Sequence, residues 1–383
     1  MFRFKCGAMM RQMCRCCCNS MNAISFVVPF PSLLRHKVTL VIIVILVVML
    51  SVLHTIDGDI KPSFTVRRED NHNIEAWKHS MPGRPFFIQH RNIFTLADKK
   101  TVNSSTEIDE DLEVVNPHPF RYINNPGHCQ FTSENRRTLL VIVKSTVRNI
   151  LLRQAIRKTW ANISESNVKT VFMLGRNSSR LVQQEIIDEE AKQFQDIVQE
   201  DFIDAYMNNT LKSIMSFNWA TQYCRSAQFL FFVDDDFIVD LPKILNYIYS
   251  IPQTDVQSIF TGQRIARPVD RNEHSKWGLS WDVFPHKYWP PYLAGGAYLS
   301  SMSVARKFTY AFPYIRRLGI DDAWLGIIAR NVQVSPQDHH FFHNAGRYSH
   351  LALVYQCCHT PKEMINTWWQ YTHNATFQIG KLV

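Results

Sequence analysis

Three adjacent aspartates, Asp234, Asp235 and Asp236, are the residues of this chain best suited to chemistry. They directly follow the apolar run FLFFV, which has the length and composition of a buried strand. Open α/β sheets bind ligands at the carboxyl ends of their strands. Adjacent carboxylates repel one another and need a cation, and hard oxygen ligands suit Mg²⁺ or Mn²⁺ with a phosphate substrate. The alternative is a solvated turn that caps the next helix, although Asp240, ahead of a Leu-Pro pair, can supply that cap.

A second acidic pair, Asp321 and Asp322, precedes the segment AWLGIIA. Aspartates at a helix start cap it and favour its dipole, but one of them can also face a cleft. Between the two acidic motifs lies WPPYLAGGAYLSS (289–301), in which two prolines stiffen the entry. Gly295 and Gly296 in this segment permit close backbone approach, either to a ligand or within a tight structural loop.

Two arginines in the segment RQAIRKTW, Arg153 and Arg157, lie four residues apart and therefore on one helix face. Their guanidinium groups suit phosphate or carboxylate, although a solvated basic face is the commoner use of such a pair. His359 is one of 15 histidines, so its position carries no information by itself.

The elements that must position these residues begin near Arg136. Short apolar runs at 138–143, 168–174 and 228–233 predict strands, and segments at 153–160, 180–194 and 210–224 predict helices. Their alternation predicts an α/β fold, with a Rossmann-like, mostly parallel central sheet and helices on both faces. We expect residues 136–383 to form one catalytic domain.

Composition excludes several classes of protein. The chain has 383 residues, of which 46% are hydrophobic and 20% charged, so it is neither wholly disordered nor collagen-like. The net charge of +9 is concentrated in the first 37 residues, because no acidic residue precedes Asp57. We therefore expect no nucleic-acid partner.

The N-terminal third predicts a membrane anchor. Residues 38–56 are almost entirely apolar and follow basic residues, which predicts a transmembrane signal-anchor with a cytosolic tail at 1–37. A cleaved signal peptide and a buried core helix are the alternatives. Residues 57–135 are rich in Pro, Asn and charge without a sustained period, which predicts a luminal stem.

Cysteines and sequons agree with a luminal C-terminal part. Five cysteines in the basic tail indicate palmitoylation rather than a metal-binding knuckle. Cys129, Cys224, Cys357 and Cys358 permit two disulfides whose pairing is open, although we do not expect the adjacent pair to bond together. All N-x-S/T sequons follow the apolar run, at Asn103, Asn162, Asn177, Asn208 and Asn374.

Seven segments, in order along the chain, resemble motifs of the β-1,3-galactosyltransferase family. This family also contains β-1,3-N-acetylglucosaminyltransferases and is more distantly related to Fringe. The segments are RQAIRKTW (153–160), VFMLG (171–175), EDFIDAYMNNTLKS (200–213), FFVDDDF (231–237), WPPYLAGGAYLSS (289–301), IDDAWLG (320–326) and CHTPKEMINTW (358–368). They cover about residues 136–370, and seven motifs in order are far more specific than any one of them.

The resemblance implies a GT-A fold and an inverting single displacement from a UDP-sugar donor, with a β-1,3-linked product. It implies that Asp236 and His359 hold Mn²⁺, or Mg²⁺ in its place, and that Asp322 deprotonates the acceptor hydroxyl. Further contacts on the donor side are expected from Asp234, Asp235, Arg153, Arg157, Gly295 and Gly296. Members with this anchor and stem reside in the Golgi membrane, so a glycolipid or glycoprotein acceptor is implied.

Departures from the family pattern affect the donor sugar rather than the reaction class. Asp321 stands where most vertebrate-type members have Glu, and Val233 stands where Lys is common. These features look closest to the invertebrate Brainiac-like branch. Galactose, N-acetylgalactosamine and N-acetylglucosamine remain open as donor sugars. Trp277 and Trp281 can stack on a sugar face, but we expect them in the aromatic core.

Other functions and properties stay open. An inactive relative that binds glycan, or that escorts another transferase, is the main alternative to an enzyme. A two-metal phosphoryl-transfer enzyme can use the same acidic clusters, but it needs a basic groove. The acceptor and the oligomeric state are likewise open.

Overall fold

A computed structural model describes residues 113–131, 137–162, 165–177, 181–343 and 352–379. The predicted cytosolic tail, the predicted anchor, most of the predicted stem and the sequon at Asn103 lie outside these residues. No helix within the described ranges is long and apolar enough to cross a membrane.

Strands and helices alternate along most of the described chain. The strands are β1 (Tyr122–Asn124), β2 (Leu139–Lys144), β3 (Val168–Arg176), β4 (Ile197–Ile203), β5 (Phe229–Asp234), β6 (Phe237–Val239), β7 (Phe260–Ile265), β8 (Tyr292–Ser301), β9 (Gln337–Asp338), β10 (Phe342–His343) and β11 (Val354–Gln356). The helices are α1 (Ile150–Lys158), α2 (Leu181–Phe194), α3 (Asn209–Tyr223), α4 (Leu241–Ser250), α5 (Met302–Ala311), α6 (Asp321–Asn331) and α7 (Pro361–Ile379).

The described strands form a large mixed sheet and a small one. The large sheet has the order β1-β4-β3-β2-β5-β8-β7-β9, and the small sheet has the order β10-β11-β6. The central strands β4, β3, β2 and β5 run parallel, whereas β1 and β8 pair antiparallel with their neighbours. The predicted parallel centre is therefore confirmed within a mixed α/β sheet.

Strand β2 explains why helices cover both faces of the sheet. All six of its residues are buried. Leu140 and Ile142 belong to the core on one face, together with residues of α3, α5 and α6. Leu139 and Val141 belong to the core on the other face, together with residues of α1 and α4. An uninterrupted apolar run is what a strand buried on two faces requires.

The folded domain begins earlier than predicted. Strand β1, within the predicted stem, pairs with β4, and the disulfide Cys129–Cys224 joins the same segment to the end of α3. The boundary at residue 136 is therefore wrong for residues 113–131. A three-residue strand is too short to produce a periodic signal, so the sequence pattern could not reveal it.

Candidate active site

The acidic strand end lies beside a buried lysine. Strands β2 and β5 are parallel, with Lys144 in register with Asp234, so both strands end at the same edge of the sheet. Lys144 Nζ lies 3.1 Å from Asp234 Oδ1, and the lysine side chain is only 7% exposed. The positive charge of Lys144 stabilises the Asp234 carboxylate, which would otherwise have only like charges beside it.

The second acidic pair begins α6, and β8 lies against it. Asp322 Oδ1 accepts a hydrogen bond from the Ala323 N–H at 2.8 Å, and its Oδ2 accepts one from the Gly295 N–H at 3.3 Å. A Cβ atom on Gly295 would lie 3.2 Å from the Cβ of Asp322, so this position favours glycine. The close backbone approach predicted for this glycine is present, and its partner is Asp322. Gly296 follows in β8 and is half-buried.

Lys144 connects the two acidic motifs. Its Nζ donates to the Gly295 carbonyl at 2.9 Å and to Asp321 Oδ2 at 3.3 Å, in addition to its contact with Asp234. Ser213 Oγ in α3 also donates to Asp321 Oδ2, at 3.0 Å. Burial alone would lower the pKa of Lys144, but the charges of Asp234 and Asp321 outweigh it and hold this pKa well above its usual value. Sequence reasoning missed this residue, although a lysine that closes an apolar strand is an available signal.

The electrostatic surroundings suit Asp322 to proton transfer. Burial, followed by the charge of Asp321, raises the pKa of Asp322 to about 6. The hydrogen bonds from Ala323 and Gly295 and the charge of Lys144 oppose that rise. A carboxylate with a pKa just below neutrality is ionised at neutral pH and still basic enough to accept a proton.

Asp235 is turned into the protein. The side chain is buried, and its Oδ2 accepts hydrogen bonds from Ser145 Oγ at 2.6 Å and from Asn149 Nδ2 at 2.8 Å. Burial raises its pKa, and these two hydrogen bonds oppose the rise. Asp235 therefore fixes the loop after β2 to the acidic strand end, between its neighbours Asp234 and Asp236.

Arg153 and Arg157 bind carboxylates of the protein itself. Arg153 is fully buried, and its Nε and Nη2 donate to Glu190 at 3.0 and 2.6 Å. Its Nη1 donates to Ser145 Oγ at 3.1 Å, directly behind Asp235. Arg157 donates twice to Asp196, both at 2.8 Å, and once to Glu190 at 2.7 Å. The prediction that Arg153 touches the donor is therefore corrected, because a donor cannot reach a fully buried guanidinium.

The C-terminal segment brings His359 to Asp236. Strand β11 pairs antiparallel with β6, which directly follows the aspartate triad. Gln356 Nε2 donates to Asp236 Oδ2 at 2.6 Å, and His359 Nδ1 lies 3.7 Å from the same oxygen. His359 itself is 76% exposed, so its ring is accessible from solvent. The two residues predicted to share a metal are therefore neighbours.

The donor set at Asp236 and His359 fits a divalent cation that also binds substrate. Asp236 Oδ1 is buried without a hydrogen-bond partner, which is unfavourable for a carboxylate oxygen unless another group meets it. Among the described side chains, no group of three or more His, Cys, Asp and Glu could hold a metal. Mg²⁺ in phosphate-transfer sites commonly uses one or two protein ligands, with water and substrate phosphates completing its coordination. Asp236 supplies one carboxylate of that kind, and the imidazole of His359 is a donor that suits a transition metal such as Mn²⁺ better than Mg²⁺.

Two features hold the segment around His359. The N–H groups of Cys357 and Cys358 donate to the Asp236 carbonyl at 3.0 and 2.9 Å. Glu363 in the first turn of α7 accepts from the N–H groups of His359 and Thr360, at 2.9 and 3.1 Å. The Glu363 N–H donates in return to Thr360 Oγ1 at 3.2 Å, and this reciprocal cap fixes the start of α7 beside His359.

Cys357 and Cys358 are bonded to each other, so the expectation that they would not pair is wrong. Within the described residues, Cys129 and Cys224 are bonded to each other, and Cys357 and Cys358 are the two cysteines that remain.

Two tryptophans expected in the core are exposed instead. Trp277 is 39% and Trp281 54% exposed, and both lie in the long connection between β7 and β8. Trp277 Nε1 donates to the Tyr206 hydroxyl at 3.0 Å. Desolvation and the charges of Asp321 and Asp322 raise the pKa of Tyr206, so this aromatic pair lies close to the acidic site. Sequence reasoning missed Tyr206.

The described sequons differ in accessibility. Asn162 is exposed and Asn177 half-exposed. Asn208 Nδ2 instead donates to the Ile203 carbonyl at 2.8 Å, and the Thr210 hydroxyl of the same sequon is buried and donates to the Leu318 carbonyl. The side chains of Asn208 and Thr210 are therefore both engaged in hydrogen bonds within the protein. Asn374 lies in α7.

A cavity of about 410 Å³ lies away from these residues. It is lined by His118, Phe120, Tyr122 and Glu200, with residues of α3. None of the predicted site residues lines it.

Comparisons with known proteins agree with the motifs. The sequence model of the galactosyltransferase family matches residues 152–340. The β-1,3-galactosyltransferase 1 of human and of mouse is 30% identical in an alignment of 268 residues that covers 66% of this chain and 79% of that protein. The human lactosylceramide 1,3-N-acetyl-β-D-glucosaminyltransferase is 34% identical over 246 residues, covering 61% of this chain and 64% of that protein.

A similar solved structure is that of mouse xyloside xylosyltransferase 1 in its apo form. It is 11% identical, with a TM-score of 0.30, and the match covers 58% of this chain and 97% of that one.

Proposed function

Because the chain belongs to the β-1,3-galactosyltransferase family and is a hexosyltransferase, we propose that it transfers galactose or an N-acetylhexosamine from a UDP-sugar to the 3-hydroxyl of a glycan. One observation carries this proposal. The acidic strand end of β5 and the acidic start of α6 are held together around Lys144, which contacts Asp234 and Asp321. A donor diphosphate at the strand end would then lie near a base on the helix. We assign the domain to the GT-A fold on the same grounds.

Asp322 is the proposed general base. An inverting displacement needs one base, positioned opposite the leaving group, to take the proton of the attacking hydroxyl. Its carboxylate is oriented by the N–H groups of Gly295 and Ala323. Asp321 is engaged by Lys144 and Ser213, so Asp322 is the better base of the pair.

Asp236 and His359 would hold a divalent cation, Mn²⁺ or Mg²⁺, which when bound stabilises the negative charge that develops on the leaving diphosphate. Asp234 would orient the ribose of the donor at the same strand end. Gln356 keeps Asp236 in position through its 2.6 Å hydrogen bond. Asp235 contributes indirectly, because its hydrogen bond from Ser145 fixes the backbone next to Asp236. Gly296, next to Gly295 in β8, would line the donor sugar.

The acceptor side is proposed to include Trp277 and Tyr206. An exposed indole that is held by a hydrogen bond offers a flat apolar face, which is how proteins commonly contact the face of a sugar ring. The pair lies near the proposed base, as the influence of Asp322 on the pKa of Tyr206 indicates. One of the relatives takes its name from the glycolipid lactosylceramide, which supports a glycolipid acceptor, and a glycoprotein acceptor is the alternative.

A donor panel tests the function directly. The full-length chain, purified in detergent, would be incubated with UDP-galactose, UDP-N-acetylgalactosamine and UDP-N-acetylglucosamine, with Mn²⁺ and several glycan acceptors. Released UDP and the linkage of the product would be measured with and without EDTA. We expect EDTA-sensitive β-1,3 transfer from one donor. Tight UDP binding without any transfer would instead indicate either an inactive relative or an acceptor that is absent from the panel.

The metal ligands can be tested separately. Asp236→Asn and His359→Ala are expected to raise the Mn²⁺ concentration needed for UDP binding, measured by calorimetry. His373→Ala is a matched control, because this exposed histidine lies in α7, the helix that begins two residues after His359. Equal Mn²⁺ dependence in all four proteins would contradict the assignment.

We further propose that residues 38–56 anchor the chain in the Golgi membrane, with the tail 1–37 cytosolic and the catalytic domain luminal. The basic residues before the apolar run and the acidic residues after it support this orientation. Protease treatment of intact vesicles should remove an N-terminal tag and spare a C-terminal one. Digestion of both tags would contradict the orientation.

A further inference from the structure

Lys144 has an unusual set of partners for a residue that ends a strand. Its Nζ lies within 3.3 Å of three oxygens on three different elements: Asp234 Oδ1, the Gly295 carbonyl and Asp321 Oδ2. The side chain is 7% exposed, so these contacts are largely shielded from water. A buried lysine whose protein partners are removed would be strongly unfavourable, and so would the carboxylates left without it.

Lys144 and the proposed base, Asp322, both form hydrogen bonds with the backbone of Gly295. Lys144 holds the carbonyl of Gly295, whose own N–H donates to Asp322 Oδ2 at 3.3 Å. Lys144 also holds Asp321, the residue before the base. Movement of the lysine would therefore displace the base from two directions.

We propose that Lys144 is a positioning residue for catalysis, tying the donor end of β5 to the start of α6 and thereby fixing Asp322 for proton abstraction. This inference rests on the proposed function. It assigns Lys144 no contact with substrate. The lysine acts through Gly295 and Asp321, and its charge adds an electrostatic effect on the base.

The electrostatic effect provides a readout that a purely structural role would not change. The charges of Asp321 on the same helix and of Lys144 on β2 act on Asp322, and the charge of Asp322 acts on Tyr206, Tyr292 and Tyr298. Arg267 lies over the ring of Tyr292, 6.0 Å from its centroid. Lys144 supplies positive charge that lowers the pKa of Asp322. Its removal should therefore move the acid limb of the kcat profile to higher pH by about one unit.

The test compares Lys144→Met, Lys144→Arg and the control Lys169→Met in the full-length chain. Lys169 is an exposed lysine in the neighbouring strand β3. We expect Lys144→Met to lower kcat about 100-fold, to retain Mn²⁺-dependent UDP binding and to shift the acid limb upward. Lys144→Arg should restore the wild-type midpoint, and Lys169→Met should match wild type. A kcat reduced without any shift of the acid limb, or an unchanged kcat, would overturn the proposal.

A double-mutant cycle with Asp321→Asn separates this inference from the proposed function. Lys144→Met and Asp321→Asn should be non-additive both in kcat and in melting temperature, because each removes the partner of the other. The melting temperatures test the contact between Lys144 and Asp321 even if the wild-type protein transfers no sugar. Additive changes in melting temperature would overturn the inference. The double variant removes the lysine and one of its carboxylate partners together. It can therefore be measured in place of Lys144→Met if that single variant does not fold.

Discussion

The carboxylate of Asp322 lies directly against the backbone of Gly295. The Gly295 N–H donates to Asp322 Oδ2 at 3.3 Å, and a Cβ atom at Gly295 would approach the Cβ of Asp322 to 3.2 Å. The proposed base therefore lies where a side chain at position 295 would be, and the backbone of β8 holds it there.

Gly295→Ala should reduce catalysis without disrupting the fold. The added methyl group requires a shift of a few tenths of an ångström in Asp322 or in β8, and small misplacements of a catalytic group are costly. We expect kcat to fall by about tenfold to 100-fold while UDP binding is retained. Initial-rate kinetics and calorimetry on the same preparation measure both quantities. A wild-type kcat would show that the contact does not position the base.

Transfer should fail as the pH falls through about 6. Burial and Asp321 raise the pKa of Asp322 to about 6, and only the ionised carboxylate can accept the hydroxyl proton. The rate should therefore be constant above this pKa and decline about tenfold per pH unit below it. A profile of kcat between pH 4.5 and 8, with UDP binding checked at each end, measures the limb. A rate that stays constant down to pH 4.5 would contradict the assignment of the base.

Trp277→Ala should weaken acceptor binding specifically. Its exposed indole, held by the Tyr206 hydroxyl, is the proposed sugar-stacking face beside the site. We expect the KM for the acceptor to rise about fivefold to 30-fold, which corresponds to the loss of about 1–2 kcal/mol of contact energy, with the KM for the donor unchanged. Trp369→Ala is the control, because Trp369 is also exposed but lies on α7. Equal effects of the two substitutions would argue against the acceptor face.

Arg153→Met should destabilise the domain rather than alter donor affinity. It removes a buried cation and leaves the buried carboxylate of Glu190 with Arg157 as its remaining arginine. Breaking a buried pair costs about 3–5 kcal/mol, so the melting temperature should fall by about 6–20 °C. Arg153→Met with Glu190→Gln should recover part of the loss. A large rise in the KM for UDP-sugar at unchanged stability would restore the original prediction of a donor contact.

The strands that carry the site were predictable, and the side-chain contacts between them were not. The run before Asp234 and the run ending at Lys144 are both apolar and short, and each forms a central parallel strand. Their register, which places Lys144 beside Asp234, depends on pairing between segments far apart in sequence. Local periodicity contains no information about that pairing.

The predictions for Arg153, Trp277 and Trp281 are wrong for a related reason. Arg153 has the same residue type and spacing whether it binds phosphate or Glu190, and only tertiary structure distinguishes the two uses. The sequence favours a core position for Trp277, because most tryptophans are largely buried. It lies instead in a long connection, and the amino-acid composition of that connection does not reveal that it is exposed. The resemblance alone associates His359 with Asp236 in the sequence, and the pairing of β11 with β6 supplies the physical reason.

The Asp322→Asn variant tests the central claim most directly. Full-length wild type and variant would be compared for transfer from the active UDP-sugar, and for UDP binding in the presence of Mn²⁺. The asparagine keeps the size of the side chain but cannot accept the hydroxyl proton, so turnover should fall by about 10²–10⁴-fold with UDP binding intact. Turnover within a few-fold of wild type would contradict the account and require a different base.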